Sequence, residues 1–302
     1  MNAPARPSRR RGPTAPEAPL TIAVVGAGRA GSALAVALHD AGIRIAAVHS
    51  RRPASAAALA LRTGAEPVPT AVAAALRADV TLLTVPDADV TGVAATIAAA
   101  GIGLRDRTVV HCSGALGRGA LAALRQVAAG VGVCHPLQAL TTDSALSAAA
   151  LRGAFFGVDA DPPVRARLEL LVRAVGGVPF TAPAGDRALY HAAAVLAGNA
   201  PLALLSRAVE LLEASGVEHE IAAQALASLL EGAARNARAL GVRGALTGPV
   251  VRDDAATVAR HLGALGGDRE LQRLYRGLAA ETLRATGADG RGHVAELLAA
   301  SA

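Results

Sequence analysis

From Leu20 onward, short apolar runs alternate with longer stretches whose apolar positions recur at helical spacing. The runs 21–25, 43–49, 80–85, 108–111 and 131–134 read as strands. Weaker strand signals fall at 155–159, at 178–181 and near 67–68. Helical stretches such as 29–40, 54–62 and 116–128 separate most of them. Strands that are apolar throughout, with helices between them, predict a mostly parallel sheet covered on both faces.

After about Pro183 the strand signals stop. Segments 186–214, 218–240, 253–265, 269–286 and 292–300 all read as helices, and Gly216, Gly241 and Gly287 stand where helix ends are expected. The fold class is therefore α/β in the first part and all-α in the second, with the boundary near 183–186.

Composition sharpens this picture. Hydrophobic residues make up 52% and charged residues 18% of the 302, which excludes disorder for the bulk of the chain. Residues 1–19 differ: five prolines, four arginines and no apolar period predict a disordered tail. That tail carries +3, which leaves +3 of the net +6 for everything else, so no nucleic-acid patch is expected. Aromatics are 2% with no Trp, which argues against stacking platforms for single-stranded nucleic acid. Every basic residue is Arg; the chain has no Lys. Two cysteines, Cys112 and Cys134, suit a reducing compartment, so a cytoplasmic location is expected. The apolar stretch 20–25 is too short for a signal-peptide core. The run 192–205, interrupted by Asn199 and Pro201, reads as too short to span a bilayer, so no membrane partner is expected.

The chemistry starts at Gly26-x-Gly28-x-x-Gly31, directly after a predicted strand and opening a helix. Gly26 permits a tight turn, Gly28 lets backbone approach a pyrophosphate, and Gly31 lets helix and strand pack closely. Together with Arg29 and Ala30 the loop offers helix N-terminal amides to phosphates. This is a Rossmann-type dinucleotide signature, and with the boundary above it gives the expected organisation: tail 1–19, NAD(P)-binding Rossmann domain 20–185 and helical domain 186–302. The next strand ends in Ser50-Arg51-Arg52 with no acid. A carboxylate there would accept the ribose hydroxyls of NAD, whereas Ser and Arg suit the 2′-phosphate of NADP. NADP is the expected cofactor, with NAD less favoured; alternatively both arginines are only a solvated helix entry.

Ligands in such sheets bind at the carboxyl ends of the strands. Val85 and Pro86 should line the cofactor there. His111-Cys112-Ser113 and Cys134-His135-Pro136 follow the next two strands. A His titrating near neutrality can exchange a proton with a hydroxyl or carbonyl during hydride transfer. His135 is the stronger acid/base candidate, and His111, still on its strand, reads more readily as structural. Cys112 and Cys134 are expected to flank the same cleft, without thiol or metal chemistry, since metal-ligand spacing is absent.

The order of glycine loop, "SRR", "TVPD", "HCSGALG", "HPLQ", "YHAAAVLAGN" and "ALTGPVVR" resembles a bacterial family of Rossmann-like proteins with a C-terminal helical domain of unassigned function. That family belongs to the 6-phosphogluconate dehydrogenase-like superfamily, and the resemblance spans residues 20–300. It implies kinship with ketopantoate reductases, pyrroline-5-carboxylate reductases, β-hydroxyacid dehydrogenases and prephenate dehydrogenases. In the last of these a Ser orients the substrate hydroxyl and the His of a His-Pro motif takes its proton; Ser113 and His135 look like that pair. Asn199 matches the Asn that elsewhere follows a catalytic Lys by four residues, but Val195 holds the Lys position. His191 lies one turn back on the same helical face, so the proton role falls to His191 or His135. The segment 245–252 could present Thr247 and Arg252 to a carboxylate or merely connect two helices. The resemblance also implies a homodimer formed through the helical domain.

The expected function is thus an NADP-dependent oxidoreductase acting on a small keto or hydroxy acid or an imine. The alternative, which the missing Lys favours, is a nucleotide-binding sensor or accessory protein without hydride chemistry.

Overall fold

The computed structural model describes residues 20–101, 103–287 and 291–300. The expected disordered tail lies outside them. Eight strands form one sheet: β1 Thr21–Val25, β2 Arg44–His49, β3 Glu66–Pro67, β4 Val80–Leu83, β5 Thr108–His111, β6 Gly130–Pro136, β7 Phe155–Ala160 and β8 Val178–Thr181. Their order is β3-β2-β1-β4-β5-β6-β7-β8. The strands from β3 to β6 pair in parallel, β7 runs antiparallel to β6, and β8 is parallel to β7. The order reverses between β1 and β4, which opens a crevice at their carboxyl ends.

Helices between the strands are α1 Arg29–Asp40, α2 Pro53–Thr63, α3 Ala71–Ala75, α4 Asp87–Ala99, α5 Ser144–Ala150 and α6 Pro162–Ala174. They cover both faces, which is why the central strands read apolar at every position. Ile22 and Val24 of β1 join one buried cluster, with Leu34 and Leu168, while Ala23 and Val25 join the other, with Val90 and Ile97. Each fully buried Val or Leu contributes about 1.5–3 kcal/mol. The helix expected over 116–128 forms only as the 3₁₀ segment Arg118–Leu124. Gly117 and Gly119 have low helix propensity, and Leu121 leaves helical dihedrals at φ −103°.

Beyond the sheet come α7 Arg187–Gly198, α8 Ala200–Ala214, α9 His219–Ala245, α10 Ala255–Ala264, α11 Arg269–Thr286 and α12 His293–Ala299. The single helix expected over 186–214 divides at Asn199. Pro201 has no N–H to give to the preceding turn and sits where a new helix tolerates it. By length and composition alone, Arg187–Ala214 passes as a bilayer-length segment with mean hydropathy 1.4, although it divides at Asn199.

The chain packs as two compact units, the first ending at Pro201 and the second beginning at Leu202. Helix α7 thus belongs with the sheet. In the second unit Val258, Leu262 and Val294 form a small core. Asp253 accepts backbone hydrogen bonds from His293 and Val294, and so caps α12. Thr247 and Arg252 also lie in the second unit, where Gly248 turns the chain at φ +98°.

Candidate active site

The glycine loop is built against β4. Gly26 holds φ +110°, and a Cβ on it would fall 2.7 Å from the backbone of Thr84. A Cβ on Gly31 would lie 2.0 Å from the Gly26 carbonyl oxygen. A Cβ on Gly28, by contrast, would meet nothing within 4 Å, so that side of the loop is open. Gly28 caps α1 without a side-chain hydrogen bond, and the first turn holds no acid. The amides there, from residues including Arg29 and Ala30, are free for an anion.

A cavity of about 700 Å³ opens at this point, lined among others by Gly26, Gly28, Ser50, Arg51, Arg52, Val85 and Pro86. Residues chosen from three separate sequence segments therefore meet there. Open amides, a ribose-side hydroxyl and two guanidinium groups fit the phosphates of a dinucleotide. Sequence reasoning missed Asp89 on α4, whose carboxylate also lines the cavity and pairs with Arg51 at 3.2 Å. It missed Thr84 as well, whose hydroxyl donates to the Gly26 carbonyl at 2.7 Å.

The second group lies at the ends of β5 and β6. His111 is buried, and both ring nitrogens are engaged by backbone: Nε2 with the Gly117 carbonyl at 3.1 Å, Nδ1 accepting from the Ser113 amide at 3.2 Å. Both contacts tie the ring to the backbone, and burial holds its pKa below the usual histidine range. The Ser113 hydroxyl oxygen accepts from the amides of Ala115 and Leu116, both at 3.1 Å. Its own O–H remains able to donate.

His135 and His191 converge across the backbone of Gly114. A Cβ on Gly114 would lie 2.8 Å from Nε2 of His135 and 2.9 Å from Nδ1 of His191. The two rings stand 6.3 Å apart. Both line a cavity of about 360 Å³ together with Val195, Gly198 and Asn199, so the 191, 195, 199 face of α7 looks into it. Asn199 is exposed at the C-cap of α7, rather than buried. Nδ1 of His191 is buried without a hydrogen-bond partner among the described residues.

Two further residues were not legible in the sequence. The Tyr190 hydroxyl is 2.9 Å from Nδ1 of His135. Arg187 is buried; its Nε donates to the Leu116 carbonyl at 3.0 Å, its terminal nitrogens have no hydrogen-bond partner among the described residues, and its guanidinium carbon lies 5.2 Å from the Tyr190 ring centre. Burial, then His191 and Arg187, push the pKa of His135 down to about 4. Burial raises that of Tyr190, while Arg187 pulls against the rise.

Cys112 and Cys134 do not flank the cleft as expected. Strand alternation turns both away from it and into the core, beside Leu34 and Phe156. Burial lifts the Cys134 thiol to about 12 and Cys112 well above its usual range, which disfavours the thiolate at both. No group of three metal-ligating side chains occurs among the described residues.

Residues 4–138 match the model of a Rossmann-like domain, and residues 154–282 match that of a domain of unknown function, DUF2520. No curated protein matches by sequence. Among solved structures, a proposed NADP oxidoreductase from Bacteroides fragilis is 24% identical, covers 88% of this chain and 98% of its own, and has a TM-score of 0.70. An imine reductase from Pseudomonas sp. is 17% identical, with 94% and 99% covered and a TM-score of 0.63. A pyrroline-5-carboxylate reductase from Coxiella burnetii is 20% identical, with 90% and 99% covered and a TM-score of 0.60. At these identities the likeness is one of fold. The parallel sheet and the helical second part agree with the two domain matches, and the chain joins a Rossmann-like domain to a DUF2520 domain.

Proposed function

We propose that the chain is an NADP-dependent oxidoreductase acting on a small keto or hydroxy acid or an imine. The observation that carries this reading is one sheet with two cavities at its strand ends. One is lined by open amides and arginines. The other is lined by His135, His191 and Asn199. The names of the Bacteroides, Pseudomonas and Coxiella neighbours agree with it.

Gly26 and Gly28, with the amides of Arg29 and Ala30, would hold the pyrophosphate, Gly31 would keep the helix close to the strand, and Ser50, Arg51 and Arg52 would hold the 2′-phosphate. When bound, the nicotinamide supplies or takes the hydride. His135 handles the proton at the substrate heteroatom, and Ser113 donates its O–H to orient that atom. His191 and Asn199 bind polar groups of the substrate within the same cavity. The absence of Lys leaves His135 as the group most closely supported for the proton role.

The test is NADPH oxidation against a panel of keto acids and cyclic imines. Turnover of at least one is expected, and His135→Asn should lower kcat about 10²–10⁴-fold while NADPH affinity holds. NADPH binding with no turnover on any substrate would overturn this reading. It would favour a nucleotide-binding sensor, for which Val195 at the Lys position is the supporting observation.

A further inference from the structure

We propose that Tyr190 and Arg187 form a proton relay with His135. In this relay the Tyr190 hydroxyl donates to Nδ1 of His135, so that His135 releases its Nε2 proton to the substrate while taking the tyrosine's. The inference rests on the oxidoreductase reading and deepens it.

The geometry starts with the 2.9 Å contact between Tyr190 Oη and His135 Nδ1. A neutral imidazole has one N–H and one acceptor nitrogen. If the phenol donates to Nδ1, the ring proton sits on Nε2, the nitrogen beside Gly114. His135 is neutral at ordinary pH, because burial, His191 and Arg187 disfavour its charge; His111 opposes the charge too, and Asp87 on α4 favours it only weakly. An imidazolium is therefore not the donor in a reduction. A neutral ring can give up its Nε2 proton only if Nδ1 gains one in the same step, and Tyr190 is the group in position to supply it.

Arg187 provides for the phenolate that results. Its guanidinium lies against the Tyr190 ring, and both terminal nitrogens are buried with no hydrogen-bond partner among the described residues. Burying an unpaired cation is unfavourable. A transient anion on Tyr190 is the counter-charge that this environment otherwise lacks.

The step balances. The substrate carbon gains a hydride from the reduced dinucleotide, and its heteroatom forms a bond to the Nε2 proton. The N–H bond at Nε2 breaks, an N–H bond at Nδ1 forms, and the O–H bond of Tyr190 breaks. After product leaves, Nδ1 returns its proton to the phenolate and Nε2 takes one from water. Tyr190 and Arg187 act through His135 and are positioning residues; His135 is the catalytic one.

The experiment is nitrogen-15 NMR of the histidine-labelled full chain, with His135→Gln to assign the ring. A Nε2–H tautomer is expected throughout about pH 6–8, and Tyr190→Phe should remove that bias. With a substrate in hand, Tyr190→Phe should lower kcat about 10²-fold and leave KM and NADPH affinity nearly unchanged. Its rate should also fall about tenfold per pH unit, because the reaction would then need the imidazolium, whereas the wild-type rate stays flat. A Nδ1–H tautomer in the wild type overturns the relay whatever the chain's activity, and decides the matter even if Tyr190→Phe fails to fold. Full activity with a flat profile in Tyr190→Phe overturns it too. Failure of every substrate, with the Nε2–H tautomer present, overturns the oxidoreductase reading and the relay with it.

Discussion

Thr84 Oγ1 donates to the carbonyl oxygen of Gly26 at 2.7 Å, tying the end of β4 to the glycine loop. Both atoms lie where a Gly31 side chain would go: a Cβ there would be 2.5 Å from Thr84 Oγ1 and 2.0 Å from the Gly26 oxygen. The loop, the helix start and the neighbouring strand thus fix one another.

The three glycines should consequently fail in different ways. Gly31→Ala forces backbone apart and should destabilise the fold by about 1–3 kcal/mol. Gly28→Ala has space in the folded chain and should change stability by no more than about 0.5 kcal/mol. Its methyl group would occupy the ligand's side, so NADPH affinity should fall on the order of tenfold, as for one lost charge-assisted hydrogen bond. Denaturation and fluorescence titration of both variants separate the effects. Equal loss of stability in the two would sink the distinction.

Cofactor choice should turn on Arg51 and the acid that holds it. The Arg51–Asp89 pair is exposed, and such pairs contribute about 0–1 kcal/mol. A phosphate dianion can therefore displace Asp89 readily. Arg51→Ala should weaken NADPH about tenfold more than NADH, and Asp89→Asn should tighten NADPH by about 2–5-fold with little effect on NADH. Tighter NADH than NADPH in the wild type would refute the 2′-phosphate assignment.

The strands and the glycine loop were legible because their signals are local. A run of apolar residues buried on both faces, or three glycines after a strand, carries its own explanation. The meeting of Tyr190 with His135, or of Asp89 with Arg51, depends on how distant segments pack, and no spacing in the chain encodes it. Gly114 could have been noticed: it follows Ser113 in a strand-end motif, and only a residue without a side chain fits between two imidazoles. The cysteines were misplaced because residues beside a cleft in sequence alternate, along a strand, between the cleft and the core. The helix end at Gly287 is legible because left-handed backbone there favours glycine, whereas Leu116–Ala128 carries a helical pattern of leucines that Gly117 and Gly119 interrupt.

Stability should fall on mild acidification, and the sign follows from His135. Its folded pKa is about 4, below the ordinary value of about 6.5 expected in the unfolded chain. The unfolded state binds the proton first, so the stabilising effect of a neutral buried ring is complete above about pH 6.5 and is lost as pH falls through about 4. His111 shifts in the same direction. Asp79 acts lower: burial raises its pKa, but hydrogen bonds from the Thr21 hydroxyl and amide outweigh this and leave it depressed. Its contribution disappears only as pH falls through that depressed value. Urea midpoints should drop between pH 7 and 4.5 in the wild type, by less in His135→Gln. Parallel curves for the two proteins would show that His135 does not carry this dependence.

The last expectation is a homodimer. Helix α9 has 27 residues and buries only Ala222, while Ile221, Leu229 and Leu240 are each more than 60% exposed. Helix α8 buries only Val209 and exposes Leu202 and Leu211. Apolar surface of this extent calls for a partner, and a second copy of the same chain is the one expected. Sedimentation equilibrium should give about twice the 30.0 kDa of one chain. Leu229→Asp would place an unpaired charge in the buried interface, so it should weaken the dimer by about 3 kcal/mol or more, on the order of a hundredfold in Kd. The unpartnered helices admit one competing outcome, since Arg187–Ala214 also meets the length and hydropathy needed for a bilayer. Flotation with phosphatidylcholine vesicles discriminates: a chain that stays monomeric and floats would overturn the dimer, whereas a dimer that remains in the dense fraction, and dissociates on Leu229→Asp, assigns the exposed leucines to self-association.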